Sequence, residues 1–137
     1  MSCVLRAIGE EFDVDAFLAT SPLRPDAVYR KGESVPGASG RGRPPLASGF
    51  HLAVGPAGLD DLTGQVREAL AFLDEHEDEL RRLNGFAGVD ALTLDFAIRR
   101  REGATQIDIF PSELLWRAGA LDIDLTVTHC STAEEAH

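Results

Sequence analysis

The chain has 137 residues and a formal net charge of −10, with 44% hydrophobic and 26% charged residues. That balance suits one acidic, soluble globular domain with one core. The negative charge argues against general binding to nucleic acid or an anionic membrane, and it suits a basic partner. No apolar run is long enough to span a bilayer. The first residues, MSCVLRAIGEEF, lack the basic start and long apolar run of a signal peptide, so the cytoplasm is the expected location.

Ser2 to Ile8 reads as a central strand ending at Gly9, with Cys3, Leu5 and Ala7 on one face. Val4 and Ile8 occupy the other face, which Arg6 interrupts. Asp13 is placed to cap a short helix, Val14 to Ala19, and Phe12 to pack back on Phe17. Ala27 to Arg30 can form a short extended piece around Tyr29, the chain's one tyrosine. Residues 33–45, ESVPGASGRGRPP, hold too many glycines and prolines for a helix or central strand. They read as a mobile loop or a segment ordered by a partner.

Ser48 to Val54 follows as a strand, with His51 on the face opposite Phe50 and Leu52. The segment from Leu59 to Phe86 reads as one long amphipathic helix. Its stripe is Leu62, Val66, Ala69, Leu70, Leu73, Leu80 and Leu83; Asp60 or Asp61 starts it, and Asn84–Gly85 ends it. Leu92, Leu94, Phe96 and Ile98 then alternate as a strand, and Arg101 to Ala104 read as a hairpin turn into a strand carrying Ile107 and Ile109. Ser112 opens a last short helix, where Trp116 is expected to anchor to the core. Leu121, Ile123, Leu125 and Val127 alternate in the closing strand, and residues 131–137 read as a fraying tail.

The order implies a single α+β domain over residues 1–130. Its helices lie on one face of a mainly antiparallel sheet, a two-layer sandwich with ferredoxin-like elements. If the long helix covers the Leu92 face, then Asp95, Asp108, Asp122 and Asp124 point to the other face as an acidic surface. That surface can receive a basic peptide, a partner edge or a hard cation, or simply keep the sheet from aggregating.

A second candidate is the meeting of aromatic and basic groups with flexible backbone: Tyr29, Arg30, Lys31, Arg41 and Arg43, with His51 nearby on its strand. It would sit under the loop at residues 31–45 and suit a small molecule. Catalytic signatures are missing. VPGASGRGRPP lacks the Gly-Lys-Ser/Thr of a phosphate loop, and HEDEL at His76 lacks a second histidine. No close ligand pair joins Cys3, Cys130, His51 and His129 into a metal site, so neither metal nor cofactor is expected. Cys3 and Cys130 read as reduced thiols, although neighbouring terminal strands would permit a bridge.

Several stretches together, IGEEFDVDAFLATSPLRPDAVYRKGE, SGFHLAV, QVREALAFLDEHEDELRRL and LDFAIRR, resemble a family of small bacterial proteins known only as a domain of unknown function. The resemblance runs from Val4 to about Thr128. It implies an α+β fold and, for some members, an immunity or accessory role. It brings no catalytic residues. The reading from sequence is therefore a cytoplasmic protein that binds a protein partner without catalysis, neutralising a basic one in the immunity-like case. Self-association through the open sheet face or a strand edge is a further form of that binding. The competing reading is the small-molecule or metal site, with enzymatic activity open.

Overall fold

The computed structural model describes residues 2–33, 45–103 and 105–131. Its elements are β1 (Cys3–Gly9), α1 (Val14–Ala19), β2 (Ala27–Tyr29), β3 (Ser48–Ala53), α2 (Leu62–Glu75), α3 (Glu77–Asn84), β4 (Ala91–Arg99), α4 (Ser112–Ala120) and β5 (Asp124–Cys130). The strands form one mixed sheet in the order β2-β3-β1-β4-β5. Three neighbouring pairs are antiparallel, and β4 with β5 is parallel.

One face of the sheet is apolar because alternate residues supply it. Leu5 and Ala7 of β1, Phe50 of β3, and Leu94 and Phe96 of β4 are completely buried there. All four helices pack on this face, and their buried side chains join the same cluster: Val14 and Phe17, Val66 and Leu73, Leu80 and Leu83, Leu114 and Ala118. The result is the expected α+β sandwich with helices on one side.

Local signals explain most boundaries. The Asp13 carboxylate accepts from Ala16 N at 3.0 Å and starts α1, and the Phe12 and Phe17 rings meet at 6.2 Å. Asp61 starts α2 by accepting from Gly64 N at 2.9 Å. The long helix of the sequence reading is divided in two. His76 leaves helical geometry (φ −111°, ψ 20°) and lies between α2 and α3. The break re-aims α3 toward α1, where Arg82 lies 4.3 Å from the Phe17 ring centroid.

The predicted hairpin after β4 is not formed. Residues 105–110 belong to no strand; α4 follows them and returns the chain to β5, parallel to β4 and beside it. The side chain of Gln106 takes up the backbone groups a strand partner would use. Its amide nitrogen donates to Arg99 O at 3.1 Å, and its oxygen accepts from Arg101 N at 2.8 Å. Phe110 folds back on Phe96 at 5.3 Å between rings, which leaves Ile107 and Ile109 exposed.

Trp116 does not anchor α4; it is 73% exposed. Leu114, Ala118 and Leu121 occupy the inward side, and Trp116 lies about 200° round the helix from Leu114. No disulfide joins Cys3 and Cys130. β4 separates their strands, with Cys3 opposite Phe96 and Cys130 opposite Arg99.

Candidate functional site

The second face of the sheet is covered by no described element. Its side chains follow from strand register. Ala27, His51, Arg6, Thr93 and Asp124 form one row across the five strands, and Ala53, Val4, Asp95 and Thr126 form the next. Five strands spaced about 4.8 Å apart make a surface roughly 19 Å wide.

Two polar groupings sit on this surface. On the β2–β3 side, the Tyr29 hydroxyl and His51 Nδ1 share a hydrogen bond, with ring centroids 5.4 Å apart. On the β4–β5 side, Asp95 Oδ1 accepts from the hydroxyls of Thr126 and Thr128, each at 2.9 Å. Arg6 lies between, with Nη1 4.0 Å from Asp95 Oδ2. The Asp95 side chain is only 16% exposed, whereas that of Arg6 is 41% exposed. The guanidinium therefore keeps hydrogen-bonding capacity for a partner, while the carboxylate is largely engaged at home. Small side chains, Ala27, Ala53, Val4, Ala91 and Ala97, fill the positions around them, so another molecule can approach the backbone closely.

The four-carboxylate surface expected from alternation is half present. Asp95 and Asp124 lie on the open face. Asp108 is in the segment that failed to become a strand, bonded to Gln106 at 3.0 Å. Asp122 is in the turn before β5, with a positive φ of 56°. The face is thus mixed in charge rather than acidic.

The basic-aromatic cluster is also divided. Tyr29 and His51 meet, but Arg30 makes a bidentate pair with Asp15 of α1 at 2.8 and 2.9 Å, and Lys31 lies 3.6 Å from Glu11. Arg41 and Arg43 lie outside the described residues, as does nearly all of the loop at 33–45. Arg6 is the site residue that the sequence reading passed over; its one signal was that it interrupts an otherwise apolar face of β1.

No three histidine, cysteine or acidic side chains converge as a metal site among the described residues. His51 and Cys130 belong to the open face, whereas Cys3 and His129 belong to the covered one. Concavities occur elsewhere. One of about 400 Å³ lies between α4 and the α2–α3 junction, lined by Leu73, Trp116 and Leu121 among others. Another of about 230 Å³ lies at the start of α2, beside Ile107 and Ile109.

Residues 1–129 match the family described as Domain of unknown function (DUF4279). The chain belongs to this family. The DUF4279 description assigns no activity, so the reading of function rests on the site itself. No curated protein and no solved structure shows significant similarity to the chain. No helix among the described residues of this DUF4279 chain is long and apolar enough to cross a membrane.

Proposed function

We propose that this DUF4279 chain is a non-enzymatic binding protein and that its open sheet face receives a polypeptide partner. One observation carries the reading: a wide, shallow sheet surface where an accessible guanidinium stands between a Tyr–His pair and a Thr–Asp group, ringed by small residues. Small molecules favour concave, mostly apolar sites, whereas a flat surface gains affinity only over the area a macromolecule covers. The net charge of −10 adds long-range attraction for a basic partner, as immunity-like neutralisation requires. The cytoplasm is the compartment that fits this reading.

A photo-crosslinking amino acid placed at Thr93, at the centre of the face, tests this reading in cells. A discrete protein adduct is expected from Thr93 and not from an equivalent probe at Glu113 on α4. The same adduct should weaken at least tenfold when Arg6→Ala and His51→Ala are combined, with the melting temperature retained. Adducts from Glu113 alone, or none from Thr93, would count against the open face.

The Tyr29–His51 hydrogen bond favours a second reading, a small-molecule or metal site beneath residues 31–45. A thermal-shift panel of metals and metabolites separates the two, because a ligand selective for the folded state raises its melting temperature. A shift abolished by His51→Ala would establish the second reading in place of the first.

A further inference from the structure

The helical layer stops short of β5. Val127 belongs to the covered face, yet it is 39% exposed, while its β4 neighbour Phe96 is completely buried. On α4, Arg117 turns toward α2, where it bonds Asp74 at 2.9 Å. At 100° per residue, Leu115 falls on the opposite flank of Leu114, away from α2 and toward the β5 margin. Leu115 is 50% exposed, and a Cβ added at Gly119 on that flank would meet nothing within 4 Å.

Among the described residues the outer edge of β5 carries no strand. Among the described strands β5 pairs only with β4, and their register runs without a bulge from Asp124 to Cys130. The Cys130 carbonyl accepts from Arg100 N at 2.8 Å, so the backbone of Cys130 faces β4. Alternation gives Thr128, Thr126 and Asp124 the same direction, and it turns the N–H and C=O groups of Leu125, Val127 and His129 outward. Natural sheets block such edges with lysine, proline or bulges, and the sequence DLTVTHC contains none of these.

We propose that two copies of this chain pair β5 against β5, antiparallel about a twofold axis at Val127, to form a continuous ten-stranded sheet. In this register the outward residues oppose one another: Val127 faces Val127 of the second copy, and Leu125 faces its His129. Thr126 then lies opposite Thr128 on the open face, a favourable cross-strand pair. The one carboxylate of the strand, Asp124, lies opposite Cys130. The two Asp124 side chains are held roughly 20 Å apart along the strands, more than a screening length at physiological salt. A chain of net charge −10 thus meets its copy along a strand that carries a single carboxylate. The α4 helix of each copy flanks the axis, and Leu115 and Val127 find the cover that they lack.

Light scattering coupled to size exclusion, at tens of micromolar and at two salt concentrations, reads the outcome directly. The expected mass is twice the 14.8 kDa of one chain. Val127→Pro removes only an outward-facing N–H, and Val127→Lys places two cations on the axis; each should halve the mass with the circular dichroism retained. Val127→Cys should yield an oxidised dimer bridged at residue 127, because directly opposed residues of an antiparallel pair lie within disulfide reach. A wild-type monomer overturns the proposal. So does a dimer that survives Val127→Pro and Val127→Lys. If neither variant folds, a dimer that fails to bridge through Cys at position 127 overturns it equally.

Discussion

The side-chain amide of Gln65, fully buried in α2, donates to the carbonyl of Ala97 in β4 at 2.9 Å. The same nitrogen donates to Gly58 O at 2.9 Å, so one polar group ties the start of the helix to both its lead-in loop and the sheet. The amide oxygen has no hydrogen-bonding partner among the described residues. Gln65→Ala should cost about 2–4 kcal/mol, because it orphans two carbonyls and opens a cavity. Gln65→Met should cost less, since it refills the volume and removes the unpaired oxygen. Urea unfolding reads both, and equal losses would show that packing around Gln65 is irrelevant.

Gly88 should tolerate no side chain. Its φ is +90°, and a Cβ there would lie 2.3 Å from the Glu11 carbonyl oxygen. Gly9 approaches the same loop from β1, where a Cβ would lie 1.8 Å from Gly88 O. Both backbone strain and collision oppose Gly88→Ala, with an expected loss of about 3 kcal/mol by chemical denaturation. A loss below about 1 kcal/mol would mean that the loop moves aside freely.

Glu79 should make stability depend on acid. Its two hydrogen bonds from Arg82, at 2.8 and 3.1 Å, hold the carboxyl below its ordinary value of 4.5, and the Ser21 hydroxyl adds to the effect. A depressed folded-state value stabilises the fold fully above the unfolded value, and the gain disappears as pH falls through the folded one. Wild type should therefore melt above Glu79→Gln at pH 7, and the gap should narrow as pH falls below the ordinary value of 4.5. A gap that stays constant with pH would assign the difference to packing instead.

The two thiols should react in sequence. Burial pushes Cys3 up to about 12, with the charges of Asp95 and Glu68 adding to it. Cys130 is half-buried on the edge strand. A disulfide reagent at pH 8 should modify Cys130 promptly and Cys3 only on unfolding, because the thiolate is the reacting form. Prompt reaction at Cys3, identified by peptide mass, would show that β1 opens locally in the folded chain.

The fold was legible where alternation has one physical meaning. Leu92, Leu94, Phe96 and Ile98 alternate because one face of β4 is buried, and all four are buried. Ile107 and Ile109 alternate too, yet Gln106 supplies hydrogen bonds that made a strand unnecessary there. The break at His76 carries no glycine or proline, because it answers to the distant surface of α1. Residue type alone places Trp116 in the core, and only the rotation of α4 shows otherwise. The site was less legible than the fold. Tyr29 and His51 meet through the pairing of β2 with β3, which no spacing announces, and Arg6 gains its role from Asp95 of β4.

The position of β1 has a consequence for how the chain collapses. It is first of the strands in sequence but central in the sheet, and both of its partners come later: β3 through Gly9 with Ser48, and β4 through Cys3 with Phe96. Every contact that buries Leu5 and Ala7 in the sheet therefore closes a long loop, which slows folding. While those loops are open, the apolar β1 has no strand to pair with. The interval before β4 arrives is when this chain is most exposed to association with the wrong strand.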